Sequence, residues 1–218
     1  MPQEIPAWKD YQKVLTIIRK SKLNKAKKNE FESMSELDEL FRNFDAQAFT
    51  AGKAGQGTLT FNEAKNGILT ELKDRTKLKH SDNLVVDTVA EAIRRGFKVT
   101  RSMGGAGSEM DREEFRLLLV FLERYFTLLD MYKVVELEKD KPARVKSGGD
   151  ERPLRVGQLD FARSIPKLKE WGLTIGPPAQ AFTMLAGEGK TMITFDEFAA
   201  WSVGTSMQYV EPEPEEEE

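Results

Sequence analysis

Four times along this chain an apolar residue is followed, after three more residues, by an acid that opens an amphipathic run. The copies are "LTFNEA" at 59–64, "MDREEF" at 110–115, "VGQLDF" at 156–161 and "ITFDEF" at 193–198. Their acids, Glu63, Glu114, Asp160 and Glu197, lie 51, 46 and 37 residues apart. Self-similarity with variable spacing marks a fourfold repeat carrying insertions. A glycine-bearing irregular stretch precedes each copy, at 45–60, 99–110, 140–157 and 186–194.

The segments between these loops have helical spacing. Met34, Leu37, Leu40, Phe41 and Phe44 form one stripe, Phe61, Ala64, Ile68 and Leu72 a second, and Val85, Val89, Ile93 and Phe97 a third. Phe115, Leu118, Leu119, Leu122 and Phe126 make the strongest one. Phe161, Ile165 and Leu168 follow, then Phe182 and Leu185, then Phe195, Phe198 and Trp201. No long segment alternates with period two, so the fold class is all-α. Residues 31–130 and 131–205 read as two lobes, flanked by a basic extension at 1–30 and an acidic tail at 206–218 that is expected to be disordered. "RKSKLNKAKK" (19–28) holds six basic side chains, and the terminal "EPEPEEEE" six glutamates.

Each repeat resembles the exit half of an EF-hand, in which ligands stand at loop positions 1, 3, 5, 7, 9 and 12 and glycine at position 6. Leu59, Met110, Val156 and Ile193 then occupy position 8, the apolar site that bridges to a partner loop. The expected pairs are Leu59 with Met110 and Val156 with Ile193. "IPKLKEWGLTI" followed by "AFTMLAGEGKTMITFDEFAAWSV" closely resembles the calflagins, the flagellar calcium-binding proteins of trypanosome-type flagellates. "EFRLLLVFLERYF" (114–126) and "LDELFRNFD" (37–45) look like matching segments. The resemblance implies an EF-hand fold, a flagellar location and an acylated Met-Gly-Cys terminus. This chain begins Met-Pro-Gln and has no cysteine, so no lipid anchor is expected.

Counting twelve-residue registers back from each acid finds few oxygen donors. The last loop offers Ala186, Glu188 and Lys190 at positions 1, 3 and 5, with Thr191 where a left-handed turn calls for glycine. The first offers Gly52, Ala54 and Gln56, with Gly57 at position 6. Asp45 looks like a first ligand, but Asp45 to Glu63 spans 19 residues, seven too many. The second register starts at Met103, with Gly105 and Gly107 at positions 3 and 5. The third gives Gly149, Glu151 and Pro153 and ends on Asp160, one methylene short. The vestigial positions Glu63, Glu114, Asp160, Glu188 and Glu197 are therefore expected to hold no metal and the protein to need no cofactor, with calcium as the alternative. "TFNE", "TFDE" and, more loosely, "DREE" also read as capping boxes, which explains three of the acids without an ion.

These counts predict a calcium-independent, degenerate EF-hand protein that serves as a structural or adaptor component of the flagellum. The alternative is a calcium sensor working through irregular loops. Protein partners are expected, such as flagellar microtubule or accessory-structure proteins, with Arg19, Lys20, Lys22, Lys25, Lys27 and Lys28 as candidate contacts. The long loop at 139–155 and the insertion in the first loop are further candidates. A net charge of −3 argues against nucleic acid. The chain has no nucleophile–base constellation, its only histidine, His80, lies in a polar stretch, and no enzymatic activity is expected.

Overall fold

The structure is a computed structural model that describes residues 36–49, 57–76, 83–104, 107–137 and 155–208. The basic segment, residues 209–218 of the acidic tail, His80 and most of the first-loop insertion and of the third loop lie outside the described residues, whereas Ser206 and Met207, assigned to the tail, are helical and buried. The chain divides into two compact units, Met1–Thr127 and Leu128–Glu218. Seven helices and four very short strands appear among the described residues.

In the first unit, helix α1 (Glu36–Phe49) leads to strand β1 (Leu59–Thr60) and helix α2 (Phe61–Thr76). Helix α3 (Asn83–Gly104), strand β2 (Glu109–Met110) and helix α4 (Arg112–Leu137) form the second helix–loop–helix, and α4 continues past the end of this unit. Strands β1 and β2 pair antiparallel, with Leu59 opposite Met110 and Thr60 opposite Glu109. Leu59 and Met110 are fully buried. So are Ala64, Ala92, Ile93, Phe115, Leu118 and Phe126, which lie on the helical faces that the spacing indicates. Phe41 and Phe44 of α1 both set their rings against Phe115, with centroids 5.7 Å away in each case.

Helix α4 departs from a single-stripe pattern. Val120, Phe121, Tyr125, Leu128, Leu129 and Tyr132 are buried along with Leu118, Leu119 and Leu122. The buried apolar face is thus broader than the stripe of an ordinary surface helix, while Arg112, Glu113, Glu123, Arg124 and Asp130 keep the other side at least partly exposed.

The second unit repeats the scheme with β3 (Arg155–Gly157), α5 (Gln158–Glu170), α6 (Pro178–Ala186), β4 (Met192–Thr194) and α7 (Phe195–Met207). Here Val156 lies opposite Ile193, flanked by Arg155 opposite Thr194 and Gly157 opposite Met192. Phe161 packs against Phe182, Phe198 and Trp201, and Tyr132 packs edge-on against Phe195 and Phe198. Burial, reinforced by the nearby Asp160 carboxylate, pushes the Tyr132 hydroxyl far above its ordinary titration range, so it stays neutral.

The "KEWG" stretch is a helix stop. Gly172 takes φ +85°, and its amide donates to the Lys169 carbonyl at 2.9 Å. The Leu173 amide reaches the Leu168 carbonyl at 3.1 Å, and both leucine side chains are buried. This is the two-bond αL closure that accepts glycine without penalty and seals the helix end with an apolar contact. Pro178 then starts α6 at a position where its missing N–H costs nothing.

Gly67 of α2 is held for a different reason. A Cβ there would overlap the buried ring of Phe44. Gly67→Ala should gain up to ~1 kcal/mol in helix propensity yet lose about 1–3 kcal/mol to overpacking. Urea unfolding should therefore show net destabilisation, and an unchanged or higher midpoint would contradict this seating of α1 on α2.

Candidate functional site

The four loop acids share a sequence position but not an environment. Glu63 is half-buried, Glu114 and Asp160 are buried, and Glu197 is exposed. Each acts on the start of its own helix. The Thr60 amide donates to Glu63 Oε2 at 2.7 Å, and the Glu63 amide returns a bond to Thr60 Oγ1 at 3.4 Å. Thr194 and Glu197 make the same reciprocal pair at 3.0 and 3.2 Å. Asp111 and Glu114 do so at 2.9 and 2.8 Å. In the third repeat only half of the box exists: the Gly157 amide donates to Asp160 Oδ2 at 3.4 Å, and glycine has no side chain to reply. These bonds satisfy amides that a helix start leaves without intrahelical partners.

The first loop is assembled differently from its twelve-residue count. Gly57 adopts φ +70°, and its amide donates to Asp45 Oδ2 at 3.1 Å. Asp45, half-buried near the end of α1, thus stands at the mouth of the loop although it lies 12 positions before Gly57. Chain length here does not measure distance, because an insertion can bulge outward while its ends stay together. Both bonds from Thr60 to Glu63 fall on Oε2, and no described residue bonds Oε1. Thr58 Oγ1 donates to Glu109 Oε2 at 2.6 Å, tying this loop to β2 of its partner.

The second loop is closed by an arginine. Arg101, in the last turn of α3, sets Nη1 2.5 Å from both Glu114 oxygens and donates from Nη2 to the Gly107 carbonyl at 2.6 Å. The pair is well covered, with side-chain exposures of 13% and 5%. This contact was not foreseen from the sequence, where Arg101 and Glu114 lie 13 residues apart across the glycine-rich turn.

In the last loop the left-handed residues are Gly187, φ +87°, and Gly189, φ +78°. The turn is made earlier than the register supposes, so the expectation that Thr191 must bend there is corrected. Glu188 is exposed. Among the described residues no three acidic or histidine side chains gather to hold an ion, and no helix is long and apolar enough to cross a membrane. Arg19, Lys20, Lys22, Lys25, Lys27 and Lys28 lie outside the described residues.

Two helix–loop–helix units joined by a position-8 bridge, repeated in a second unit, define a protein of the EF-hand class. No family model matches the chain. It is similar to flagellar calcium-binding protein TB-17 of Trypanosoma brucei brucei, 31% identical over 189 residues, covering 86% of this chain and 70% of that one. TB-24 of the same organism is 31% identical over 188 residues, covering 85% and 75%. The flagellar calcium-binding protein of Trypanosoma cruzi is 31% identical over 170 residues, covering 75% and 67%. The chain belongs to this family, the flagellar calcium-binding proteins or calflagins.

These relatives overturn the expectation that no cofactor is involved, since each is named for binding calcium. The register count assumed that ligands lie at fixed intervals along the chain: it placed Gly52 at position 1 of the first loop, whereas the folded chain brings Asp45 to Gly57.

Capping and metal ligation can be told apart at the fourth repeat. Thr194→Ala should cost about 1 kcal/mol in urea unfolding with a chelator present. Glu197→Gln should retain most of the stability, because glutamine also closes a capping box. Losses confined to calcium-loaded protein would contradict the capping role.

Proposed function

We propose that this chain is a calcium-binding EF-hand protein of the flagellum, and that its first loop holds the ion. The observation that carries this is the Gly57 amide bond to Asp45 Oδ2 across the insertion, with Glu63 at the start of α2. Asp45 and Glu63 would supply the carboxylates; backbone carbonyls and water would complete an oxygen shell of six to eight. Calcium, when bound, neutralises those two charges and ties the end of α1 to the start of α2. The chain's own part is to hold Asp45 in place through Gly57, to orient Glu63 through Thr60, and to transmit the loop's state to β2 through Leu59 and Thr58.

Two carboxylates are few for an EF-hand, so the affinity belongs at the weak end of the range, on the order of 10⁻⁵–10⁻³ M. The relatives' names support calcium and the flagellum, and none of those names describes an enzyme. A binding role through protein partners completes the reading.

Calorimetric titration of the full chain should give saturable calcium heats, with amide NMR changes centred on 57–63. Asp45→Asn and Glu63→Gln should each weaken binding roughly tenfold or more, that is ~1.4 kcal/mol or above. Absence of any heat or spectral change up to millimolar calcium would overturn the proposal.

A further inference from the structure

We infer that Arg101 is the resident cation of the second loop, occupying with its guanidinium the place that a divalent ion takes in an ion-binding EF-hand. This goes beyond the calcium reading of the first loop and stands whether or not that loop binds metal.

In an EF-hand the position-12 glutamate gives both of its oxygens to the ion, and loop carbonyls give others. Glu114 holds position 12 here, and both of its oxygens face Arg101 Nη1 at 2.5 Å. Gly107, at position 5 of the register, has no side chain to offer an ion, but it turns its carbonyl to Nη2 at 2.6 Å. Glu114 Oε2 also accepts the Asp111 amide at 2.9 Å, so the same carboxylate caps α4. One planar cation therefore meets the position-12 carboxylate that an ion would meet and a loop carbonyl besides, without leaving the polypeptide. A guanidinium is suited to this, being permanently charged and carrying several donors in a rigid fork.

The residues do not fit an added ion. Delivering calcium to Glu114 would require expelling Arg101, a cation already paired in a mostly buried place; with Arg101 still there, two cations would compete for one carboxylate. The second loop is therefore set permanently in its closed form. Since β2 begins two residues after Gly107 and pairs with β1, Arg101 also gives the first loop a fixed partner strand. The inference is thus one of specificity as well as architecture: divalent ions are excluded from the second loop.

Thermal melting in chelator and in millimolar calcium tests this, using Arg101→Met, Glu114→Gln and the double variant. Arg101→Met strands a buried carboxylate and should lower Tm in chelator by about 5–10 °C. Adding Glu114→Gln to it should recover much of that loss, because glutamine still caps α4. Millimolar calcium should raise the Tm of Arg101→Met beyond any rise in the wild type, and this gain should vanish in the double variant. Glu114→Gln alone should leave the calorimetric calcium stoichiometry unchanged. If Arg101→Met fails to fold in chelator, folding of the double variant supports the inference, and failure of the double variant to fold overturns it. It is also overturned if the two substitutions are simply additive, or if Glu114→Gln removes one calcium from the stoichiometry. A wild type that binds no calcium would defeat the first-loop proposal alone, because the melts in chelator still decide the role of Arg101.

Discussion

The pairing of two buried position-8 residues is the constraint on which each unit depends. Leu59 lies opposite Met110, and Val156 opposite Ile193, in ladders only two and three residues long. So short a ladder has little stability alone. It persists because the paired side chains are also core residues, and because helices leave the bridge at both ends to pack aromatic rings beneath it. Register is then strongly specified. A slip by one residue would expose Leu59 or Val156 and bury a neighbour from the opposite face.

Around that common bridge the four loop acids have taken different employment. Glu63 serves a threonine cap and keeps one oxygen clear of described residues. Glu114 serves its cap and a guanidinium together. Asp160 is buried and supports a half-box on Gly157. Glu197 is exposed and completes a full box. An acid three residues inside a helix start is favoured by the helix's own electrostatics, so the position can keep its acid while the loop before it changes. Retention of the acid alone is consequently weak testimony to an ion. What separates the first loop from the others is the additional Asp45–Gly57 contact.

Much of the architecture was legible in the chain. Helical periodicity located the faces carrying Ala64, Ile93, Phe115, Phe161 and Phe198, all fully buried, and the recurring motif picked out the residues that face one another in the bridges. The threonine–glutamate boxes at 60–63 and 194–197 were legible because capping is a local interaction within four residues. The candidate site was much less so. Asp45 and Gly57, and likewise Arg101 and Glu114, meet across loops, and counting along the chain converts an insertion into a false distance. The signal for Arg101 was a basic residue in the last turn before a glycine-rich loop whose exit acid had lost its companion ligands. The breadth of the buried face of α4 was hidden for another reason: a helix with a wide apolar face still shows a clear stripe along the middle of it.

Native-state hydrogen exchange on the full chain in chelator and in calcium tests the central claim most directly. If apolar pairing and capping hold the units together, the β1–β2 and β3–β4 amides should rank among the slowest to exchange without any metal, and calcium should chiefly slow the amides from Gly57 to Glu63. Bridge amides that exchange as freely as the loops until calcium is added would contradict the account.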